Sequence, residues 1–308
     1  MTNYTADFLE LSDTSRRVMI SYNLLLVILG IPSNLLLYYA SHVHGALNVE
    51  LVTRLVIEHV ALSDVLILLI NFVPTLTTVL YHDWVLGQGI CYLVSYTASI
   101  FFFYEVLLTV LLTARRLGLV SELAQREGRM SYNVTLLVLG FLFLVAAAPS
   151  IAYLGLGCSA FFAPQALMCV SSNYRDYPLT SLVVVGVYLI GPVAILVLLN
   201  LLLLLILCRA SGRSVAGKGF SRTIVSLMVV SWVFVLSYVP IVVKMGLGLS
   251  GKPVSYTFQV TQQYLLSANV LLNPIIYIIF NRRFKRFVGD LVGRPVSYIS
   301  RTMSQSNQ

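Results

Sequence analysis

The chain has 308 residues, of which 58% are hydrophobic and only 10% are charged, and its mean hydropathy is +0.87. A soluble domain of this length has too little interior to bury so much apolar surface, so the composition indicates an integral membrane protein. The formal net charge of +8 is interpreted as attraction to the inner leaflet of the membrane and not as nucleic-acid binding.

Seven apolar segments are long enough to cross a bilayer as helices. They predict an all-α membrane protein, a seven-transmembrane helix bundle over residues 18–280 that has no internal repeat. Residues 1–17 carry acidic side chains and no apolar run, so they are predicted to form an extracellular N-terminus without a cleavable signal peptide. The predicted spans are residues 18–41, 53–80, 88–114, 131–156, 178–208, 219–247 and 256–280.

The basic residues predict the orientation of the bundle. If the N-terminus is outside, most of the 20 lysines and arginines fall on the cytoplasmic side. This asymmetry predicts a multi-pass protein of the plasma membrane with its C-terminus inside. Asn3, in the sequence Asn3-Tyr4-Thr5, is then an extracellular candidate for glycosylation.

Three of the four cysteines are predicted to face the oxidising exterior, where a disulfide can persist. Cys91 lies at the outer start of the third span, and Cys158 and Cys169 lie between the fourth and fifth spans. Cys91 and Cys169 are the preferred pair, because Cys169 lies well into the loop whereas Cys158 adjoins the fourth span. Three unpaired thiols remain the alternative.

Two carboxylic acids fall in the middle of apolar spans, where charged groups are rare and usually functional. They are Asp64 in the second span and Glu105 in the third. At about 5 Å, two carboxylates repel by roughly 3 kcal/mol at an effective dielectric constant near 20, so a proton or a cation such as Na⁺ is expected between them. Alternatively, each acid is hydrogen-bonded separately and only joins helices. The other deep polar side chains of this candidate ion or proton site are Asn34, Asn269 and Asn273.

Several short motifs follow one another in order along the spans. They are Gly30-Ile31-Pro32-Ser33-Asn34, Leu62-Ser63-Asp64, Trp84 before Cys91, Pro192, Pro240, and Asn273-Pro274-Ile275-Ile276-Tyr277. Together they resemble the motifs of rhodopsin-like (class A) G-protein-coupled receptors. The resemblance implies a receptor that senses an extracellular ligand and activates a heterotrimeric G protein.

A second, weaker resemblance is to olfactory receptors. It depends on Glu105 beside the second-span Asp64 and on the sequence Leu271-Leu272-Asn273-Pro274-Ile275-Ile276-Tyr277. The olfactory signatures at the end of the third helix and the start of the sixth are absent.

The inner end of the third span departs from the class A pattern. Arg116 takes the position of the family's Arg, but Arg115 replaces the acid that would pair with it. No acid at the start of the sixth span replaces that partner, so either raised basal signalling or weak coupling is expected. Alternatively, Arg115 is an interfacial anchor that reaches to lipid phosphate. By resemblance, activation and coupling involve Arg115, Arg116, Asn200, Phe234, Pro240, Pro274 and Tyr277.

The resemblance places the ligand pocket in the outer half of the bundle. Ala98 stands where amine receptors carry Asp, and Ser267 where opsins carry the retinal-binding Lys, which argues against amines and retinal. The candidate lining is apolar with uncharged polar groups, and it suits a neutral small molecule, a lipid or a peptide. It comprises Ala98, Ser99, Phe102, Phe103, Tyr188, Tyr238, Ile241, Met245, Gln259, Gln263, Tyr264 and Ser267.

The sequence after the seventh span predicts a membrane-surface helix and a tail. In residues 281–292, phenylalanines at helical spacing alternate with basic residues, which favours an amphipathic helix on lipid of the inner leaflet. Residues 293–308 are predicted to form a cytoplasmic tail, whose serines and threonine are candidate phosphorylation sites for arrestin.

A transporter or channel and an enzyme are the two alternative classes of protein. A transporter or channel could use Asp64 and Glu105 as an ion or proton relay. An enzyme would need a catalytic group of residues, and the sequence shows no such motif and predicts no cofactor beyond the candidate sodium ion.

Overall fold

The computed structural model describes residues 13–42, 47, 49–81, 84–120, 131–163, 168–171, 178–211, 218–249 and 255–291. The predicted glycosylation site at Asn3 and the tail of residues 293–308 lie outside these ranges. The side chains of Met245, Gln259 and Gln263 are also outside the described part of the structure.

The membrane-spanning part is a bundle of seven helices, as predicted. α1 is Asp13–His42, and α2 comprises Leu51–Ile67, a π-helical turn Leu68–Phe72, and Val73–Tyr81. α3 is Gly87–Val120 and α4 is Tyr132–Gly155. α5 comprises Pro178–Val185, a π-helical turn Gly186–Ile190, and Gly191–Ser211. α6 is Lys218–Leu249 and α7 is Tyr256–Phe280.

Within the described residues, five helices are long and apolar enough to cross a membrane alone, and α6 contains a shorter apolar stretch, Met228–Lys244. The predicted span 256–280 coincides with α7, whereas α3 continues beyond the predicted end at residue 114 to Val120. Hydropathy reports only the lipid-facing length, while a helix satisfies its own backbone hydrogen bonds and can extend into water.

The outer surface of the bundle is apolar, and its interior combines apolar side chains with buried polar groups. Large aliphatic side chains such as Leu137, Leu144 and Leu179 are more than two-thirds exposed, whereas Asn34 and Asp64 are fully buried. Lipid favours this distribution, because a buried polar group needs a protein partner and an exposed leucine does not.

A short hairpin on the outer side was not anticipated from the sequence. β1 (Ala160–Ala163) pairs antiparallel with β2 (Met168–Ser171), so that Phe162 lies opposite Cys169. Cys169 forms the predicted disulfide with Cys91 at the start of α3. The pairing is confirmed, and it ties the hairpin to the bundle.

The amphipathic segment forms a helix, α8 (Arg282–Leu291), bent by 100° from the end of α7. Asn281 caps it, because its Oδ1 accepts hydrogen bonds from the backbone N–H groups of Arg283 and Phe284, each at 3.0 Å. Its Nδ2 donates to the carbonyl of Leu47 at 3.0 Å. Phe284 is fully buried beneath the bundle, while the basic side chains are exposed.

A close approach between α1 and α2 depends on Gly30. A Cβ atom at this position would lie 2.7 Å from Cδ1 of Leu68, which is fully buried. We expect Gly30→Val to destabilise the bundle by about 1–3 kcal/mol through overpacking. Gly140→Val is the matched control, because no atom lies within 4 Å of the added Cβ. Equal thermal unfolding of the two variants in detergent would contradict this interpretation.

Candidate functional site

The centre of the bundle holds two acids and an amide from three helices. Asn273 Nδ2 of α7 donates to Asp64 Oδ2 of α2 at 3.0 Å. Glu105 on α3 lies close enough to Asp64 for the two carboxyl groups to interact electrostatically, and both acids are buried. Two neighbouring carboxylates removed from water repel each other, which disfavours the state in which both are ionised.

This acid pair has unused capacity for hydrogen bonding. Among the described residues, Asp64 Oδ1 and Glu105 Oε1 have no hydrogen-bond partner. A small cavity adjoins Glu105, with polar lining from Thr109, Asn273 and Tyr277. It has room for about one water molecule, the size at which polar groups in protein interiors commonly hold an ordered water.

The other two predicted members of the ion site join helices instead. Asn34 Nδ2 donates to the carbonyls of Gly30 at 3.0 Å and Val270 at 2.8 Å, which links α1 to α7. Asn269 Oδ1 accepts from Ser237 Oγ at 3.0 Å, which links α7 to α6. The structure therefore brings Asp64, Glu105 and Asn273 together and places Asn34 and Asn269 beside them in supporting contacts.

The predicted ligand-pocket aromatics pack on one another. Ring centroids are 5.5 Å apart for Tyr188 and Phe103, 5.4 Å for Phe103 and Phe102, and 4.9 Å for Phe102 and Tyr238. Phe234 continues the series at 4.2 Å from Tyr238. These five rings, here called the aromatic stack, connect α5, α3 and α6. Tyr238 is only 1% exposed and belongs to the core.

The remaining pocket candidates are spread over the outer half. Ala98, Ser99 and Ile241 are half-buried, and Ser99 Oγ donates to the carbonyl of Ser95 within α3 at 3.0 Å. Tyr264 packs against α1, where the Tyr22 ring lies 4.4 Å away and the Tyr22 hydroxyl donates to the Tyr264 carbonyl at 2.6 Å. Ser267 is buried in α7.

Arg116 is drawn into the inner end of the bundle. Its side chain is 2% exposed, it lies within electrostatic range of Tyr277, and its guanidinium nitrogens have no hydrogen-bond partner in the described part of the chain. Three residues earlier on α3, Thr113 Oγ1 shares a 2.9 Å hydrogen bond with Ser231 Oγ of α6. Asn200 of α5 is fully buried, and its Oδ1 has no partner within the described ranges.

Arg115 has a protein partner that the sequence analysis missed. Its Nη2 forms a salt bridge with Glu50 Oε1, immediately before α2. The interpretation of Arg115 as a lipid anchor is replaced by a contact between helices. Only a local signal existed in the sequence, namely an acid just ahead of a predicted span, and nothing in it indicated that α3 would lie alongside.

Two comparisons with known proteins agree with this architecture. The family model for the 7 transmembrane receptor (rhodopsin family) matches residues 33–277. The crystal structure of squid rhodopsin superposes with a TM-score of 0.80 at 16% sequence identity, covering 96% of this chain and 90% of that one. Among curated proteins, no sequence matches the chain significantly.

Asn34 provides the structural test of this site. Replacing it with Ala removes both hydrogen bonds of its side-chain amide and leaves the buried carbonyl of Val270 without that donor. We expect a loss of about 1–3 kcal/mol of stability, measured by thermal unfolding in detergent. Asn34→Asp is the informative companion, because a carboxylate cannot donate to these carbonyls. Wild-type unfolding of both variants would contradict the bridging role.

Proposed function

Because the chain belongs to the rhodopsin family of seven-transmembrane receptors, a class of G-protein-coupled receptors and not of enzymes, we propose that it senses an extracellular, non-aminergic ligand at the plasma membrane and signals through a heterotrimeric G protein. Family membership supports both partners. The observation that carries the coupling step is Arg116, a buried guanidinium without a partner in the described part of the chain, at the inner end where α3 meets α6.

The ligand is proposed to bind on the outer side of the aromatic stack. Phe102, Phe103 and Tyr188 would give it an apolar floor, and the candidate lining residues carry no charge. A neutral small molecule, a lipid or an uncharged peptide side chain matches such a surface, whereas an ammonium group would lose its hydration without gaining a counter-charge. A ligand that moves the Phe102 ring would also change the packing of that ring against Tyr238 on α6.

The acid pair is proposed to bind a proton or a sodium ion that modulates signalling. Asp64, Glu105 and Asn273 supply the oxygen atoms that a hard cation prefers, with the adjoining cavity offering a water position. The family generally needs no cofactor for signalling. In the described residues no group of three or more His, Cys, Asp and Glu side chains is placed to hold a metal ion, so any cation here would depend on these two acids and neutral ligands.

Two further partners belong to the proposal. The exposed basic side chains of α8 would lie against anionic lipid of the inner leaflet, with Phe287 half-buried at the same interface. The tail, once phosphorylated, would offer arrestin a binding segment.

Coupling can be tested without knowing the ligand. Basal cyclic AMP and calcium are measured in cells expressing the wild type or Arg116→Ala at equal surface level. We expect output above that of untransfected cells from the wild type and a loss of at least about tenfold in the variant. Arg282→Gln, which removes an exposed guanidinium from α8, is the matched control. Equal output from wild type and Arg116→Ala would contradict coupling through this residue.

The ion site has a separate test. The double variant Asp64→Asn, Glu105→Gln keeps the size of both side chains and removes both charges. We expect the sodium and pH dependence of the signal to disappear, because no carboxyl group remains to bind either ion. An unchanged dependence on both would contradict the shared site. Sodium or proton flux through the wild type without any second-messenger signal would instead support the transporter or channel alternative.

A further inference from the structure

An ion pair at the inner end of the bundle joins two helices beside Arg116. Glu50 lies immediately before α2 and Arg115 is on α3, 65 residues later in the chain. Both side chains are more than three-quarters buried, at 23% and 22% exposure. Partial burial shields such a pair from solvent and makes its loss more costly than that of an exposed one.

Glu50 is well placed to hold a negative charge. It precedes the first turn of α2, and its carbonyl accepts the backbone N–H of Arg54 at 2.8 Å. Its side chain makes no capping hydrogen bond, so the carboxylate is left to face α3. The positive end of the α2 dipole attracts a carboxylate in this position.

Glu58, the next acid along the chain after Glu50, is already engaged and cannot substitute for it. The Glu58 carboxylate accepts a hydrogen bond from Ser41 Oγ at 3.3 Å and lies 3.3 Å from His42 Nδ1. It also forms a salt bridge with Arg54 at 3.6 Å. Each of these arginines therefore has its own acid: Glu58 pairs with Arg54, and Glu50 pairs with Arg115.

The pairing of Arg115 changes the electrostatics of its neighbour. Two adjacent guanidinium groups repel, and the repulsion grows as either one leaves water. Glu50 neutralises Arg115, which permits Arg116 to be withdrawn to 2% exposure without a carboxylate of its own among the described residues. The contact also fixes the rotation of the inner end of α3, where Thr113 bonds to Ser231 of α6.

We propose that Glu50 is a positioning residue that, through Arg115, holds Arg116 inside the bundle and restrains α6 in the resting state. In the class A pattern, an acid next to the arginine on α3 restrains it. In this chain Glu50, just before α2, provides that restraint through Arg115. As a restraint on signalling it rests on the proposed function, but the geometry it requires can be measured without a G protein.

The first experiment is a double-mutant cycle on thermal unfolding in detergent. Glu50→Gln leaves the largely buried charge of Arg115 without its partner and is expected to lower the unfolding midpoint by about 2–4 °C. Arg115→Gln is expected to cost less, because Glu50 keeps the favourable helix end. The double variant should melt like Arg115→Gln alone. Additive losses would overturn the pairing, and Arg283→Gln on α8 controls for loss of an exposed inner charge.

The second experiment measures the position of α6. Lys218, at the start of α6, and Lys285, on α8, are each replaced by a nitroxide-labelled cysteine, and the distance between the two labels is measured. The background variant is Cys208→Ser, because Cys208 is exposed and would also be labelled. Glu50→Gln is expected to add a longer-distance population, and Glu50→Gln with Arg115→Gln is expected to remove most of it. A distance distribution unchanged by Glu50→Gln would overturn the positioning role, because a purely structural contact would alter stability only.

Basal signalling in the same variants separates this inference from the proposed function. Glu50→Gln is expected to raise output at least about threefold, with the double variant close to Arg115→Gln. If α6 moves as described but no variant gives output above that of untransfected cells, the proposed function fails and the restraint stands. Output that rises equally in Glu50→Gln and in the double variant would contradict the role of Arg115.

Discussion

Lipid offers no hydrogen bonds to the polar side chains inside the bundle, so these groups must be satisfied by neighbouring helices. Asn34 meets this requirement by joining α1 to α7, and Asn269 does so by accepting from Ser237 on α6. Thr113 and Ser231 make the corresponding contact between α3 and α6. These links set the separation and rotation of the helices, and the apolar side chains then fill the space between them.

Several buried polar side chains of the described residues nevertheless keep an atom without a hydrogen-bond partner. Among them are the acid pair, Asn200 and Arg116, which lie between the middle of the bundle and its inner end. Stability alone does not account for such groups, because apolar residues of similar volume would cost less to bury. Their placement is the arrangement expected of a protein that must exchange partners when it changes shape.

The sequence was informative wherever a single helix carries the signal. The spans follow from hydropathy, and the approach of Asp64 and Asn273 follows from motifs on α2 and α7. The hairpin was missed because its strands are only four residues each and depend on the Cys169 disulfide for their place. Glu50 was missed for a related reason, since its significance lies in α3 and not in its own segment. Tyr238 was predicted to line the ligand pocket but is buried in the core, because hydropathy cannot separate a ring that lines a pocket from one that fills the core.

The location of Arg115's partner also bears on how this chain can change over evolutionary time. An acid and an arginine adjacent on one helix can be inherited or lost as a single short motif. Here the two charges lie 65 residues apart, on segments that meet only in the folded bundle. A substitution at either position leaves a partly buried charge behind, so relatives of this chain should retain both residues or have replaced both. In an alignment of relatives, substitutions at positions 50 and 115 should therefore be correlated, because these two residues join the start of α2 to α3.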